Sequence, residues 1–332
     1  MAGSGKDRAV VFVTDAGFLM PSLVAACQVS CQPQVMACAD IFLLLVDLDE
    51  GLERSLTAEF SGRKLNFLRL DSKLFEPGTG TFFNPAHISR TALGRLVLHE
   101  VLPPSYRHVI YLDGDVQIIG DIASLVMHDV KPGCIAAAND FLWLRQGRVG
   151  SYWRRHRQYL QDIGVDRPAD YFNSGVIAFE LDTWREMAPR ALEYFQEFSG
   201  ACRYHDQSAL NHVFFDRREM ISPVYNFATD FSLLGLAPET KPRILHFTGM
   251  EKPWWFDGPP WNGCFLPVYR RFCEEHPLVR PFLRTPDKEA LAASQKALRN
   301  SQLKSALRTP WRHWQRRKKF RRYMDETAFA VR

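Results

Sequence analysis

The chain alternates short, uniformly apolar runs with longer segments of helical spacing. The predicted strands cover residues 9–14, 39–46, 66–70, 109–112, 133–138, 171–180 and 244–249. The predicted helices cover residues 21–30, 52–61, 89–102, 183–198 and 206–214. Apolar strands that alternate with amphipathic helices are typical of a sheet covered on both faces. We therefore predict an α/β fold with a Rossmann-like opening.

The apolar run at residues 109–112 ends in two aspartates one residue apart, Asp113 and Asp115. Residues i and i+2 of an extended chain point to the same side, and Gly114 between them allows close approach of a ligand. Buried carboxylates are costly unless they are paired, and oxygen ligands favour Mg²⁺, Ca²⁺ or Mn²⁺. The pattern indicates a hard-cation site. An Asp-Gly-Asp turn with solvated carboxylates is the structural alternative.

Polar residues at other element ends have both a structural and a chemical interpretation. Asp15 follows the first strand, where α/β sheets bind ligands, but it can also cap the next helix. His246 lies in an apolar strand, which is common for a core histidine and also suits a metal site. Asp206 and Gln207 open a helix as caps or as site residues. Arg95 is either a snorkelling arginine or a phosphate contact.

Length and composition allow one large or two modest domains, because 332 residues with 46% hydrophobic content provide a sizeable core. No apolar stretch reaches the ~20 residues of a membrane helix, and the first residues are polar, so a cytosolic protein is expected. Seven cysteines without a CxxC pair favour free buried thiols over disulfides or zinc. Neither a GxGxxG turn before a helix nor a P-loop occurs.

The net charge of +5 is unevenly distributed. Residues 287–332 contain 13 Lys and Arg against 4 Asp and Glu, a net charge of +9, which leaves about −4 on residues 1–286. We divide the chain at this point into a main domain and a basic C-terminal tail. The tail has a predicted helix at residues 290–307 and a run at 311–323 that mixes aromatic residues with seven cations. Such a run fits an anionic membrane surface, and a nucleic-acid patch or a solvated tail is the alternative.

Together these features resemble the bacterial family 8 glycosyltransferases, which include lipopolysaccharide galactosyl- and glucosyltransferases and are related to glycogenin. The matching blocks are VFVTDAGF (residues 11–18), HISRTALGR (87–95), YLDGD (111–115), FNSG (172–175) with HDQ (205–207), and HFTGMEKPW (246–254). Each block alone is weakly specific, whereas their order and spacing over residues 9–275 are specific.

The resemblance implies a GT-A fold and retaining transfer of a hexose, glucose or galactose, from a UDP-sugar. Mn²⁺, or alternatively Mg²⁺, would be held by Asp113, Asp115 and His246. The implied donor-binding residues are Thr14, Asp15, Phe18, Arg95, Asp113, Gly114, Asp115, Asp140, Asn173, Gly249 and Lys252. Asp206 and Gln207 are the implied catalytic residues, beside the reacting carbon of the sugar.

Within this set, the resemblance implies different partners for different residues. Thr14, Asp15 and Phe18 would face the uracil and ribose, although many relatives have Asp-Asn-Tyr where this chain has Asp-Ala-Gly-Phe. Arg95, Gly249 and Lys252 would reach the phosphates or the donor sugar. Retention is compatible with Asp206 as a nucleophile or with front-face attack stabilised by Gln207.

The predicted function is transfer to a glycan or lipid-linked acceptor, such as lipopolysaccharide core, at the inner face of a membrane. No nucleic-acid partner is expected. A catalytically weak nucleotide-sugar-binding protein of the same fold is the alternative. A phosphatase of the dehalogenase type fits less well, because more than a hundred residues precede the Asp-Gly-Asp motif and Gln117 follows it where Thr or Val is usual.

Overall fold

A computed structural model describes residues 5–76, 90–145, 151–167, 169–249, 251–256, 261, 263–283 and 310–327, with a few isolated positions between 288 and 300. The strands are β1 (Arg8–Thr14), β2 (Ala39–Val46), β3 (Leu65–Leu70), β4 (His108–Leu112), β5 (Val116–Ile118), β6 (Ile135–Asn139), β7 (Phe172–Glu180), β8 (Arg218–Met220), β9 (Phe227–Ala228) and β10 (Ile244–His246).

The described helices are α1 (Leu19–Ser30), α2 (Pro33–Cys38), α3 (Glu50–Glu59), α4 (Leu98–Val101), α5 (Ala123–Val126), α6 (Ser151–Asp162), α7 (Leu181–Glu197), α8 (His205–Phe214), α9 (Thr229–Ser232), α10 (Ala237–Thr240), α11 (Leu266–Glu275) and α12 (Pro310–Glu326). Short 3₁₀ segments occur at Ser61–Arg63, Ser72–Leu74, Arg90–Val97, Phe141–Arg145, Pro223–Tyr225 and Pro277–Phe282.

Seven strands form the main sheet in the order β3-β2-β1-β4-β7-β6-β8. The pairs from β3 to β4 are parallel, whereas β7 runs antiparallel to both β4 and β6. Consecutive β1 residues alternate between two apolar cores, with Val10 and Phe12 on one face and Val11 and Val13 on the other. The predicted α/β sheet covered on both faces is therefore confirmed.

A second, three-stranded sheet brings the later part of the chain to the end of β4. Its order is β5-β10-β9, with β10 antiparallel to β5 and parallel to β9. In this register His246 pairs with Val116, the residue that follows Asp115. The small sheet therefore carries the histidine to the aspartates across 130 residues of sequence.

The segment before β4 differs from the prediction of one α-helix over residues 89–102. It forms a 3₁₀ segment, Arg90–Val97, before the short helix α4. A Cβ at Gly94 would lie 2.9 Å from Val13 Cγ1 and 3.1 Å from Leu70 Cδ2, so the backbone packs directly on the sheet. Glycine weakens an α-helix, and close packing of this backbone accounts for the tighter local winding.

The C-terminal helix α12 packs on the main domain through two aromatic residues. Phe320 and Tyr323 are buried, and the Phe320 ring lies 4.8 Å from the Phe231 ring, centroid to centroid. The Tyr323 hydroxyl donates to Ile221 O at 3.0 Å and accepts from Asn139 N at 2.9 Å. Part of the basic tail is therefore a structural element of the core. The predicted helix at residues 290–307 lies almost wholly outside the described residues.

Two further expectations concern the cysteines and the absence of a membrane-spanning helix. None of the seven cysteines, all of which lie in the described part of the chain, forms a disulfide, and only Cys27, Cys202 and Cys273 are buried. Among the residues that the structure describes, no helix combines the length and apolar character needed to cross a membrane.

Candidate active site

Three potential metal ligands converge where β4 ends and β10 ends. One ligand atom from each of Asp113, Asp115 and His246 lies within 4.8 Å of the others. His246 Nε2 is 3.3 Å from Asp115 Oδ1 and 3.7 Å from Asp113 Oδ2. The structure thus brings together the three residues that the resemblance had implied as a metal site.

Two glycines allow the backbone to approach this cluster closely. A Cβ on Gly175 would lie 2.2 Å from His246 Cε1 and 2.7 Å from Asp113 Oδ2. A Cβ on Gly114 would lie 2.4 Å from Ser22 Oγ. Since real Cβ atoms do not approach other atoms so closely, the observed ligand arrangement requires glycine at position 175, whereas a side chain at position 114 would displace the Ser22 hydroxyl.

The donor set fits a hard divalent cation. Two carboxylates and one imidazole are ligands that suit Mn²⁺, and Mg²⁺ shares the preference for oxygen. His246 Nδ1 is hydrogen-bonded to Asn226 Oδ1 at 2.8 Å, which directs Nε2 toward the aspartates. Metal-binding histidines commonly use the second ring nitrogen in this way. The residues present therefore fit the implied metal.

Lys252 is the nearest cation to this carboxylate pair among the contacts of the described residues. Its Nζ lies 2.6 Å from Asp115 Oδ2 and donates to Phe247 O at 2.5 Å. Burial opposes the charged form of Asp115, but Lys252 and His246 together hold the pKa of that carboxyl well below its usual value. Asp115 is therefore an anion at neutral pH.

Arg95 joins the metal cluster to the predicted catalytic aspartate. Its Nη2 donates to Asp113 Oδ1 at 2.8 Å, and its Nε lies 3.0 Å from Asp206 Oδ2. Nη1 donates to Ser174 O at 2.6 Å and Nε to Ala92 O at 2.9 Å. With the guanidinium buried and engaged in these contacts, Arg95 holds two carboxylates in place.

Asp206 is a buried carboxylate in the first turn of α8. Burial raises its pKa to about 6, although Arg95 lowers that value and the helix N-terminus also favours the anion. Its Oδ2 has the ion contact with Arg95 but no hydrogen bond, because Arg95 Nε–H is directed to Ala92 O. His205 before it has φ +46°, an uncommon conformation for a non-glycine residue. Such strain is found where a site fixes the next side chain.

The amide of Gln207 is held by five hydrogen bonds. Its Oε1 accepts from Ser174 N at 3.1 Å, and since a backbone N–H can only donate, this contact fixes the amide orientation. Ser174 Oγ and Asn173 Nδ2 also donate to Oε1. Nε2 donates to Asp140 Oδ2 at 3.2 Å and to Tyr171 Oη at 3.0 Å. Gln207 is thus a rigid part of the site wall.

Asp140 and Asn173 complete this wall. Asp140 Oδ1 accepts from Leu142 N at 2.9 Å, and Asn173 Nδ2 donates to Oδ2 at 3.3 Å. Burial raises the pKa of the Asp140 carboxyl despite these hydrogen bonds. Asn173 Oδ1 faces the opposite way and accepts from Asn226 Nδ2 at 2.8 Å. A single amide therefore contacts both the Asp140 side and the His246 side of the site.

The candidate metal ligands, the two cations and the polar wall residues line one cavity of about 650 Å³. Of the predicted site residues, the cavity wall includes Phe18, Arg95, Asp113, Gly114, Asp115, Asp140, Asn173, Asp206, Gln207, His246, Gly249 and Lys252. Such a volume is typical of small-molecule sites. Phe18 packs edge-on against Trp254, with ring centroids 5.9 Å apart.

Two predicted site residues stand behind this wall. Thr14 is fully buried, and its hydroxyl donates to Asp15 O at 3.2 Å. Asp15 Oδ1 accepts from Gly17 N at 2.7 Å, and Oδ2 accepts from Thr91 Oγ1 at 2.6 Å. Asp15 therefore closes the turn before α1, and Thr91, which we had not predicted, reaches the cavity instead.

Sequence reasoning missed several further contacts of the site. Tyr111 donates to Asp113 Oδ1 at 2.8 Å, and Tyr171 accepts from Gln207. Tyr111 lies within the YLDGD block and Tyr171 directly precedes the FNSG block, which is a signal that could have found them. Asn226 and Arg203 lie in segments without a recognised pattern, so no sequence signal indicated them.

Comparison with known proteins places the chain in a family of enzymes that transfer sugars. The family profile described as glycosyl transferase family 8 matches residues 11–258, about three quarters of the sequence. This chain belongs to glycosyl transferase family 8 and is a glycosyltransferase.

The sequence relatives are distant. General stress protein A of Bacillus subtilis (strain 168) is 27% identical over 210 residues, with 58% of this chain and 68% of that protein covered. Lipopolysaccharide 1,2-glucosyltransferase of Escherichia coli (strain K12) is 23% identical over 188 residues, covering 50% of this chain and 49% of that protein. The chain thus spans about half the length of the second relative.

Solved structures establish the fold. Galactosyltransferase LgtC, in complex with donor and acceptor sugar analogs, superposes with a TM-score of 0.62 at 23% identity. The superposition covers 84% of this chain and 98% of LgtC. The predicted GT-A architecture is therefore confirmed.

Proposed function

We propose that this glycosyltransferase moves a hexose from a UDP-sugar to a glycan acceptor with retention at the anomeric carbon, using Mn²⁺ or Mg²⁺. The observation that carries the proposal is the cluster of Asp113, Asp115 and His246 at the wall of a cavity large enough for a nucleotide sugar. Glucose and galactose are the proposed hexoses, as the family resemblance implies.

The cation would be held by the three clustered side chains. When bound there, it would supply positive charge to the diphosphate of the donor. Lys252 adds a second positive charge 2.6 Å from Asp115. Fixed charges beside a departing diphosphate stabilise the negative charge that develops on it. Gly249, with φ +96°, lines the same part of the wall without a side chain and leaves room for a phosphate.

The nucleoside end of the donor is assigned to the Phe18 side of the cavity. Phe18 presents an aromatic ring, and its edge contact with Trp254 fixes the position of that ring. Stacking on an aromatic surface is tolerant of base identity. Asp15 is proposed to act by shaping the Phe18 turn, since its carboxylate accepts from the backbone of that turn.

The hexose is assigned to the wall formed by Asp140, Asn173, Asp206 and Gln207. Asp206 would provide negative charge beside the anomeric carbon, where an oxocarbenium-like state develops. In a double displacement its carboxylate attacks that carbon as the bond to UDP breaks. The acceptor hydroxyl then attacks the same carbon as the bond to Asp206 breaks, and its proton passes to a phosphate oxygen of UDP. In a front-face reaction the acceptor attacks from the side on which UDP leaves, and Gln207, together with the Asp206 carboxylate, stabilises the state electrostatically. The engaged amide of Gln207 favours positioning of the sugar over attack.

The acceptor is proposed to be lipopolysaccharide core or a related surface glycan, reached at the inner face of a membrane. Trp311 and Trp314 on α12 are 56% and 60% exposed, and Lys318 Nζ lies 5.5 Å from the Trp314 ring centroid. Aromatic and cationic side chains on one helix suit an anionic lipid surface. Vesicles with anionic lipid should bind the wild-type chain and bind Trp311→Ser/Trp314→Ser more weakly. Equal binding of both would refute this role.

A donor screen tests the central proposal. UDP-sugars are incubated with the protein and Mn²⁺, and products are identified by mass spectrometry with hydrolysis as a basal readout. Asp115→Asn should remove turnover, whereas Asp129→Asn, at an exposed carboxylate that pairs with Arg8, should retain it. Calorimetric binding of UDP without turnover of any donor would favour the nucleotide-sugar-binding alternative.

A further inference from the structure

Asn226 stands behind the proposed metal site and connects it to the rest of the structure. The residue is buried and separates β9 from the 3₁₀ turn Pro223–Tyr225. Its side chain makes two hydrogen bonds, both 2.8 Å long, one with Asn173 and one with His246. The orientation of its amide therefore determines what it offers to the histidine.

A backbone group fixes that orientation. Gly175 N–H donates to the Asn173 side-chain oxygen at 3.0 Å, and a backbone N–H cannot accept. Asn173 therefore presents its oxygen on this side. The Asn226 group that meets the same oxygen at 2.8 Å must be its NH₂. The Asn226 oxygen consequently faces His246 Nδ1.

This orientation decides which nitrogen of a neutral His246 carries the proton. Nδ1 faces an acceptor and therefore carries the hydrogen, so Nε2 presents its lone pair toward Asp115 Oδ1 and Asp113 Oδ2. Without that acceptor, a proton on Nε2 could donate to the two carboxylates. The N–H group would then occupy the place of a cation between the two carboxylates, and the ring could not bind the cation through Nε2.

We propose that Asn226 is a positioning residue of the metal site, which holds the proton of His246 on Nδ1 and keeps Nε2 available as a ligand. The assignment rests on the proposed metal-binding function and extends it to a residue outside the cavity wall. It also makes the orientation of a ligand depend on Asn173, which contacts Gln207 and Asp140 through its other amide atom.

Metal affinity measured without any donor sugar tests the assignment. Mn²⁺ is titrated into wild type, Asn226→Ala and Asn226→Asp, and the free ion is followed by electron paramagnetic resonance. Loss of an outer hydrogen-bond partner typically weakens metal binding about 10–100-fold, which is the expectation for Asn226→Ala. Asn226→Asp keeps an acceptor for Nδ1–H and should stay within a few-fold of wild type, although its carboxylate faces the Asn173 oxygen and should lower the Tm.

Asn211→Ala is the matched control. Asn211 is also fully buried, and its amide bonds the backbone of Phe172 without touching the metal ligands. This variant should lose stability and retain Mn²⁺ affinity. Metal affinity that follows the Tm across all three variants, or that is unchanged in Asn226→Ala, would overturn the assignment alone. A wild-type chain that binds neither Mn²⁺ nor Mg²⁺ would overturn the proposed metal function and the assignment together.

Discussion

Lys252 Nζ lies 2.6 Å from Asp115 Oδ2 and 2.5 Å from Phe247 O. An ammonium has three N–H donors, and these two contacts use two of them. Because Lys252 also lines the cavity, the third N–H is available for a ligand. Under the proposed function, the lysine is thus held by the protein in a position where it would neutralise a donor phosphate.

Lys252→Met should lower kcat/KM for the UDP-sugar by about 10²–10³, the usual effect of removing one fixed group that stabilises developing negative charge. Lys252→Arg should not restore the rate, because a planar guanidinium is larger than an ammonium and does not reproduce the two short contacts of Lys252 Nζ. Steady-state kinetics with the donor found in the screen give the measurement. Lys131→Met, at an exposed position, should be normal. A normal rate in Lys252→Met would exclude a role in the reaction.

Gly175→Ala should lose metal binding and stability together. The added methyl would overlap His246 Cε1 and Asp113 Oδ2, so the ligands must move apart, at about 1–3 kcal/mol for an overpacked site. Calorimetric Mn²⁺ titration and thermal unfolding give the two readouts. Gly200→Ala meets no atom within 4 Å and should match wild type in both. If Gly175→Ala bound Mn²⁺ as tightly as wild type, the close approach of His246 and Asp113 would not be needed for metal binding.

Asp206→Asn should change how stability depends on pH. Because burial raises the pKa of folded Asp206 to about 6, from its ordinary value of 3.8, the native chain binds more protons than the unfolded chain between these pH values. This carboxyl therefore makes wild type less stable as pH rises from about 4 to 6. Across that range the Tm of the asparagine variant should rise relative to that of wild type. At neutral pH its free energy of unfolding should exceed that of wild type by roughly 2–3 kcal/mol.

The unfolding measurements also provide a check on Asp206. A constant Tm difference between wild type and Asp206→Asn from pH 4 to pH 7 would mean that the folded carboxyl titrates near its ordinary value. In that case the Asp206 carboxylate would have more stabilising contacts in solution than its single ion contact with Arg95, and these would offset the cost of its burial. Turnover of the variant, measured separately, should be strongly reduced.

Phe320→Ala should destabilise the main domain although the residue lies in the basic tail. Its ring packs against Phe231 and Phe227, so truncation should cost about 3–5 kcal/mol, as for other buried phenylalanines. Trp314→Ala, on the exposed side of the same helix, should leave the Tm nearly unchanged. Equal Tm values for the two variants would contradict the packing of α12 on the core. Deletion of the whole tail would mix this loss with any loss of membrane binding.

The sequence predicted the features that depend on local pattern. Uniformly apolar strands marked the sheet, and the i, i+2 spacing placed Asp113 and Asp115 on one side of the chain. The family resemblance added His246, which no spacing rule connects to residues so distant along the chain. The structure joins them through the pairing of β10 with β5.

The contacts that the sequence could not predict are long-range and polar. Asn226 acquires its partners only when separate strands and helices meet, and an asparagine at this point of the chain does not distinguish a site from a loop. Residues 89–102 had helical spacing, but packing of Gly94 on Val13 favoured a 3₁₀ segment. Helical spacing within the tail could not show that Phe320 fills a gap beside Phe231, because that gap is made by other parts of the chain.

The side-chain amide of Asn173, which contacts a different group at each end, has a consequence for redesign of this enzyme. One end contacts the groups assigned to the sugar, and the other orients the partner of His246. Under the proposed function, a substitution at this position that adapts the enzyme to a new sugar would also alter metal binding through Asn226 and His246. Donor preference and metal affinity should therefore change together in variants of Asn173.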